Sequence, residues 1–252
     1  RCEILLKEGV GILDTAGDTF GIRNIQVDAV NGFRLNGRRL NLKGGCIHHD
    51  NGFLGACAYP KAEKRKLEIL KRAGYNTVRI SHYPPSLALL KLGDEMGMLL
   101  MDEAFDVWRL GKVPMDYHQF FEAWWERDIE CMVKRDRNHP SVITYSIGNE
   151  ITERDGCNNG AAWFVISALC GVYPFHDDVD DAGGGGNFEI NMNASQESWG
   201  EVTAAFCEPL DIVGYNYLKD IYESTHQQFP DRVMLGTETH AYNTWDYWEK
   251  VK

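Results

Sequence analysis

Two glutamates stand directly behind β-forming runs. Glu150 closes Gly148-Asn149-Glu150 after the run 142–147, and Glu238 lies in Gly236-Thr237-Glu238-Thr239 after 233–235. Two carboxylates facing one another across a cleft are what cleavage of a glycosidic bond requires, because one acid protonates the departing oxygen while the other attacks or shields the anomeric carbon. The attacking group must be an anion, and a neighbouring Arg79 with a tyrosine hydroxyl would favour that state. Glu238 is therefore expected as the nucleophile and Glu150 as the proton donor, with Asn149 placed to hydrogen-bond a sugar hydroxyl beside the reacting carbon. Other polar residues gather behind similar runs: His48, His49 and Asp50; Arg79 with Ser81, His82 and Tyr83; Asp102 and Glu103; and Tyr215, Asn216 and Tyr217.

What must position them is a series of strands and helices. From about residue 2 to 42 short β-like runs alternate with turns, and Asn36-Gly37 is a type I′ hairpin signal. Beyond that the rhythm becomes strand then helix, with strands over 42–47, 77–80, 98–101, 142–147, 165–169, 211–217 and 233–235. Helices are expected over 61–73, ending at Gly74, and from Pro84-Pro85 to Gly97. The longest helix is expected to start at an N-cap Asp116 and to pack Phe120, Phe121, Trp124, Trp125, Ile129, Met132 and Val133 into the core. Seven strands alternating with helices predict an α/β fold, a (β/α)8 TIM-type barrel whose eighth strand is not visible before Lys252. The remnant strands of a β-sandwich precede it, so 1–38 reads as the end of an immunoglobulin-like module and 39–252 as the barrel. No GxGxxG follows any strand, which argues against a dinucleotide fold. The acidic, glycine-rich patch 177–186 reads as a mobile loop.

Composition narrows the function classes. The 252 residues carry 26 Lys and Arg against 37 Asp and Glu, a net charge of −11, and no basic block, so no nucleic-acid partner is expected. No run of 18 or more apolar residues exists, so no membrane partner is expected either. Seven cysteines without a CxxC pair predict reduced, buried thiols rather than a disulfide framework or a zinc site. A cytoplasmic location is the expectation, with an export signal upstream of Arg1 as the alternative.

Several motifs in order carry a resemblance: Leu42-Lys43-Gly44-Gly45 with His48-His49-Asp50, Val78-Arg79-Ile80-Ser81-His82-Tyr83-Pro84, Asp102-Glu103-Ala104-Phe105-Asp106, Arg135-Asp136-Arg137-Asn138-His139-Pro140-Ser141-Val142 leading to Asn149-Glu150, and Gly236-Thr237-Glu238-Thr239. This series resembles the family 2 glycoside hydrolases, the β-galactosidase and β-glucuronidase group. The resemblance implies a retaining, double-displacement exo-β-glycosidase in which Glu150 matches the acid/base, Glu238 the nucleophile, Arg79 the arginine near it, and His49 and His82 the sugar-contacting histidines. Tyr217 is the expected tyrosine that orients the nucleophile, with Tyr215 the near alternative. Trp245 and Trp248 could stack on a sugar or simply pack. Asp102 and Glu103 read as structural acceptors rather than catalysts. The expected substrate is a glycoside or oligosaccharide with a terminal β-linked sugar, galactoside first, glucuronide or mannoside as alternatives. A barrel that binds carbohydrate without turnover is the rival of another class. No organic cofactor is expected. Magnesium or sodium would need a ligand pattern after the third strand that Asp106-Val107-Trp108 does not reproduce. A homo-oligomer is compatible with this reading.

Overall fold

Apolar runs meeting turn residues begin the chain with two small antiparallel sheets. The structure, a computed structural model, describes residues 1–151, 178–180, 204–208 and 210–250. Strands β1 (Cys2–Glu8) and β2 (Gly11–Asp18) pair as a hairpin whose residues are exposed throughout. Strands β3 (Ile25–Gln26), β4 (Arg34–Leu35) and β5 (Arg38–Arg39) form a second sheet. Its β4–β5 turn has positive φ at both Asn36 (52°) and Gly37 (76°), the conformation that a type I′ hairpin demands. Arg23 donates to the carbonyl of Val142 and so ties this segment to the larger sheet.

The larger sheet holds seven parallel strands: β6 (Cys46–His48), β7 (Thr77–Ser81), β8 (Leu99–Glu103), β9 (Val142–Asn149), β10 (Asp178–Asp180), β11 (Ile212–Asn216) and β12 (Met234–Glu238). Each pairs in parallel with the next in chain order, so the order runs without reversal from β6 to β12. A doubly wound sheet reverses its order at a switch point; a barrel does not. Seven strands laid flat would separate the outer two by about 29 Å. Instead Cys46 Sγ of β6 lies 3.5 Å from the carbonyl of Thr237 in β12, so the sheet curls until its ends meet.

Helices cover the outside of this curve. Helix α1 (Pro60–Arg72) has proline in its first turn, where the missing N–H is not needed, and buries Leu67. Helix α2 (Leu87–Met96) begins after both prolines, because Ser86 supplies the cap: its side chain accepts from Leu89 N at 3.1 Å. Gly97 ends it in the left-handed conformation (φ 65°, ψ 42°). Helix α3 (His118–Asp136) buries Phe121, Ile129, Met132 and Val133. Two expectations fail here. Asp116 is not the N-cap, since Tyr117 occupies that place; its carboxylate instead accepts from the backbone of Lys112, Val113 and His118 and closes the preceding loop. Phe120 and Trp124 are not core but 55% and 43% exposed. Four residues apart, they share a face turned from the one that carries Phe121, Trp125 and Ile129, and Arg127 lies over the Trp124 ring. Short helices α4 (Ala204–Cys207), α5 (Tyr222–Gln228) and α6 (Thr244–Lys250) complete the described layer.

The expected mobile loop over 177–186 contains β10. Asp178, Val179 and Asp180 lie between β9 and β11 and are paired on both sides, because ladder bonds need only backbone groups and tolerate acidic side chains. The rest of that patch and the strand expected over 165–169 fall outside the described residues. Among the described cysteines only Cys207 is buried, while Cys2, Cys57 and Cys131 are exposed, so burial of the thiols as a class does not hold. No helix among the described residues is long and apolar enough to cross a membrane.

Candidate active site

Alternation along each barrel strand decides what faces inward. On β7, Val78 and Ile80 belong to the apolar core while Arg79 reaches the barrel interior. On β8, Glu103 faces Arg79, and its neighbour Asp102 points the other way, toward Asp136 of α3. Arg79 is the hub. Its Nε donates to Glu103 Oε2 at 2.9 Å, one terminal nitrogen to Glu238 Oε2 at 3.3 Å, and the other to Asn149 Oδ1 at 3.2 Å. Glu103, fully buried, also takes Ser146 Oγ at 2.7 Å on Oε2 and His82 Nδ1 at 2.6 Å on Oε1. Burial would raise its pKa, but Arg79 and His82 outweigh it and hold the carboxyl below the usual range.

The two outer glutamates meet over this base. Asn216, the last residue of β11, points its Nδ2 at Glu150 Oε1 and at Glu238 Oε2, 3.4 Å from each, so those oxygens are at most twice 3.4 Å, 6.8 Å, apart. Thr237 Oγ1 fixes the Asn216 amide by donating to its Oδ1 at 2.8 Å. Tyr217 donates its hydroxyl to Glu238 Oε1 at 2.6 Å. Burial, with that bond second, pushes the Tyr217 pKa up, so the phenol remains a donor. Among the described residues only Asn36, Glu150 and Tyr217 combine a non-glycine side chain with positive φ, at 52°, 48° and 59°. Left-handed backbone costs a residue with a Cβ on the order of 1 kcal/mol and concentrates where function fixes a side chain.

The structure brings together Glu150, Glu238, Asn149, Arg79, His82 and Tyr217. It does not bring Tyr215 to Glu238. Tyr215 is buried on the outer side of β11, its ring edge-on to Tyr222 and its hydroxyl 3.3 Å from Arg232. The ladder shifts register after Tyr215 and Tyr217 turns left-handed, so the two tyrosines part company. His49 also turns aside, with Nε2 bonded to the carbonyl of Pro84 at 3.1 Å; it is His48 whose ring stands edge-on to His82, 5.3 Å between centres. Trp245 sits in the first turn of α6, 63% exposed, and Trp248 lies under Lys43. Four contributors escaped the sequence reading as site residues. Glu103 had a signal, being the second of two acids behind an apolar run, Asn216 stood between the two tyrosines, and Asp106 closed the motif that begins at Asp102; Lys112 had none.

The residues behind β8 do not suit a divalent ion. Asp106 Oδ1 is filled by Lys112 Nζ at 2.7 Å and Asn149 Nδ2 at 2.7 Å, and among the described residues no three His, Cys, Asp or Glu side chains cluster as ligands would.

A curled parallel sheet with two carboxylates facing each other at its carboxyl-terminal rim defines an α/β barrel with a two-carboxylate centre. Residues 25–167 match the family model described as glycosyl hydrolases family 2, TIM barrel domain, and the chain belongs to that family. It is 37% identical over 241 residues to a β-galactosidase, BoGH2A, of Bacteroides ovatus, covering 88% of this chain and 28% of that protein. A β-glucuronidase so named as putative, from Formosa agariphila, is 40% identical over 151 residues, 60% of this chain and 14% of that one. A solved family 2 member from Bacteroides cellulosilyticus superposes with a TM-score of 0.87 at 42% identity over 98% of this chain and 30% of its own. The chain thus spans under a third of the length of these relatives.

Proposed function

We propose that this barrel carries the catalytic centre of a retaining exo-β-glycosidase, β-galactosidase-like in its sugar. The observation that supports it is the shared amide: one Asn216 nitrogen lies within 3.4 Å of both Glu150 and Glu238. The resulting ceiling of 6.8 Å on the separation of those oxygens falls at the lower edge of the span of about 6.5–9.5 Å that an inverting pair needs to admit water, and it accommodates the 5–5.5 Å or so of a retaining pair.

The roles follow from the neighbours. Glu238 receives Tyr217 and Arg79, donors that suit a group attacking as an anion. Its oxygen bonds to the anomeric carbon while Glu150 gives its proton to the leaving oxygen; Glu150, now a base, then takes a proton from the water that releases the sugar. Asn149, held by Arg79 and Asp106, and His82, held by Glu103, present polar edges for sugar hydroxyls.

The test offers the purified chain nitrophenyl β-galactoside, β-glucuronide and β-mannoside. Turnover of the galactoside is expected, abolished in Glu238→Gln. Glu150→Ala should slow it about 10²-fold or more and yield a β-glycosyl azide when azide is added. Normal rates in Glu238→Gln would overturn the assignment, and a preference for the glucuronide or mannoside would move the sugar.

A further inference from the structure

Lys112 and Asp106, in the loop between β8 and α3, grip the peptide that leads into Glu150 without reaching the rim carboxylates themselves. Lys112 Nζ donates to Asp106 Oδ1 at 2.7 Å and to the main-chain carbonyl of Asn149 at 2.9 Å. The same Asp106 oxygen accepts Asn149 Nδ2 at 2.7 Å, and Asn149 N donates to the carbonyl of Phe105 at 3.0 Å. Asn149 is therefore held at its amide, its carbonyl and its side chain by one short loop. The next residue, Glu150, stands in left-handed backbone at φ 48°, a conformation that neighbours must impose on a side chain of this kind.

The gripping loop is itself braced. Asp116 accepts from the backbone N–H of Lys112 at 2.8 Å, Val113 at 2.9 Å and His118 at 3.0 Å. Burial pushes the Asp116 carboxyl up, but those donors with the His118 ring prevail and bring its pKa down to about 2. Lys112 and Asp106 are half-buried, which keeps their attraction from being screened as a surface pair would be.

From this geometry we infer that the Lys112–Asp106 pair is a positioning device for the acid/base: it sets the Asn149–Glu150 peptide so that the Glu150 carboxyl is aimed at the leaving oxygen. The inference rests on the reading of Glu150 as proton donor. A mis-aimed acid hurts in proportion to how much the leaving group needs its proton, whereas a merely structural clamp would affect all leaving groups alike.

The test measures kcat/KM, which reports the glycosylation step, for phenyl and 2,4-dinitrophenyl glycosides in the parent and in Lys112→Met and Lys112→Arg. In Lys112→Met the phenyl glycoside should lose about 10²-fold and the dinitrophenyl glycoside far less, with Lys112→Arg recovering part of the difference. Equal losses on both substrates, or none, overturn the inference. A crystal structure of Lys112→Met decides it without any substrate: Glu150 Oε1 should leave Asn216 Nδ2, and an unmoved Glu150 refutes the positioning role. Should the parent chain cleave neither glycoside, the functional reading falls on its own, and that structure still judges the clamp.

Discussion

Tyr217 reaches Glu238 because its backbone turns left-handed at φ 59°, swinging a ring that strand alternation would send elsewhere back over the rim. On the proposed reading of Glu238 as nucleophile, its hydroxyl steadies the carboxylate in the orientation for attack. Tyr217→Phe removes that one donor and leaves the ring, which packs on His240 at 4.4 Å between centres. It should lower kcat about 10²-fold on an aryl glycoside while shifting stability by less than about 1 kcal/mol. Steady-state rates with a melting curve check both, and an unchanged kcat would remove Tyr217 from the site. The contrast with Tyr215 marks what could be read from sequence at this scale. Apolar runs announced the strand ends, and hence which segments bring polar residues to one rim. They could not announce facing, since a register shift after Tyr215 and positive φ at Glu150 and Tyr217 each redirect a side chain. The choice of His49 rather than His48 met a related limit: adjacent residues at a strand end face opposite ways, and nothing in the pair says which of them stands beside His82.

Between elements, the strongest hidden constraint joins β8 to the end of α3. Asp102 and Asp136 are both fully buried, and Asp136 is gripped by the guanidinium of Arg135. Among the described residues no donor reaches either oxygen of Asp102. Burial first, then the neighbouring charge of Asp136, raises the Asp102 pKa well above its ordinary value. A protonated Asp102 can donate to Asp136, which accounts for the absence of any other donor. The sign follows: a raised folded-state pKa gives stability that is full below the unfolded value near 4 and is lost as pH rises toward the folded one. Asp102→Asn supplies an N–H without needing a proton. It should match the parent near pH 4 and exceed it at pH 7–8, read as a melting temperature that falls less with rising pH in the variant than in the parent. An identical pH slope in parent and variant, by calorimetry, would refute the shared proton. The run around Asn138-His139-Pro140 was legible as a motif but not as a brace. His139 and Ser141 both bond Asp94 of α2, and Arg135 also reaches the carbonyl of Pro85, long-range contacts that local pattern does not encode.

At the scale of the whole molecule, the rim draws on both ends of the curled sheet. The central strands β8 and β9 are paired on both sides, and every residue of β9 is buried. Among the described residues β12 pairs only with β11 and β6 only with β7, and both are partly exposed. Glu238 therefore sits on an end strand, held across the barrel by Arg79 of β7 at 3.3 Å, while Cys46 of β6 touches the neighbouring carbonyl of Thr237. The barrel was readable from seven strand–helix alternations; that its ends would be joined by the functional side chains was not, because those contacts span more than 150 positions of chain. If this seam secures β12, local opening should begin there, since exchange protection follows burial and the number of ladders a strand shares. Backbone hydrogen exchange should be faster over β12 than over β9. Glu238→Gln, which removes the charge facing Arg79, should accelerate it several-fold over β12 and leave β8 and β9 unaltered. Uniform exchange across the sheet, or equal acceleration in every strand, would mean that the sheet opens as one body and that the ion pair at the rim has no part in holding it closed.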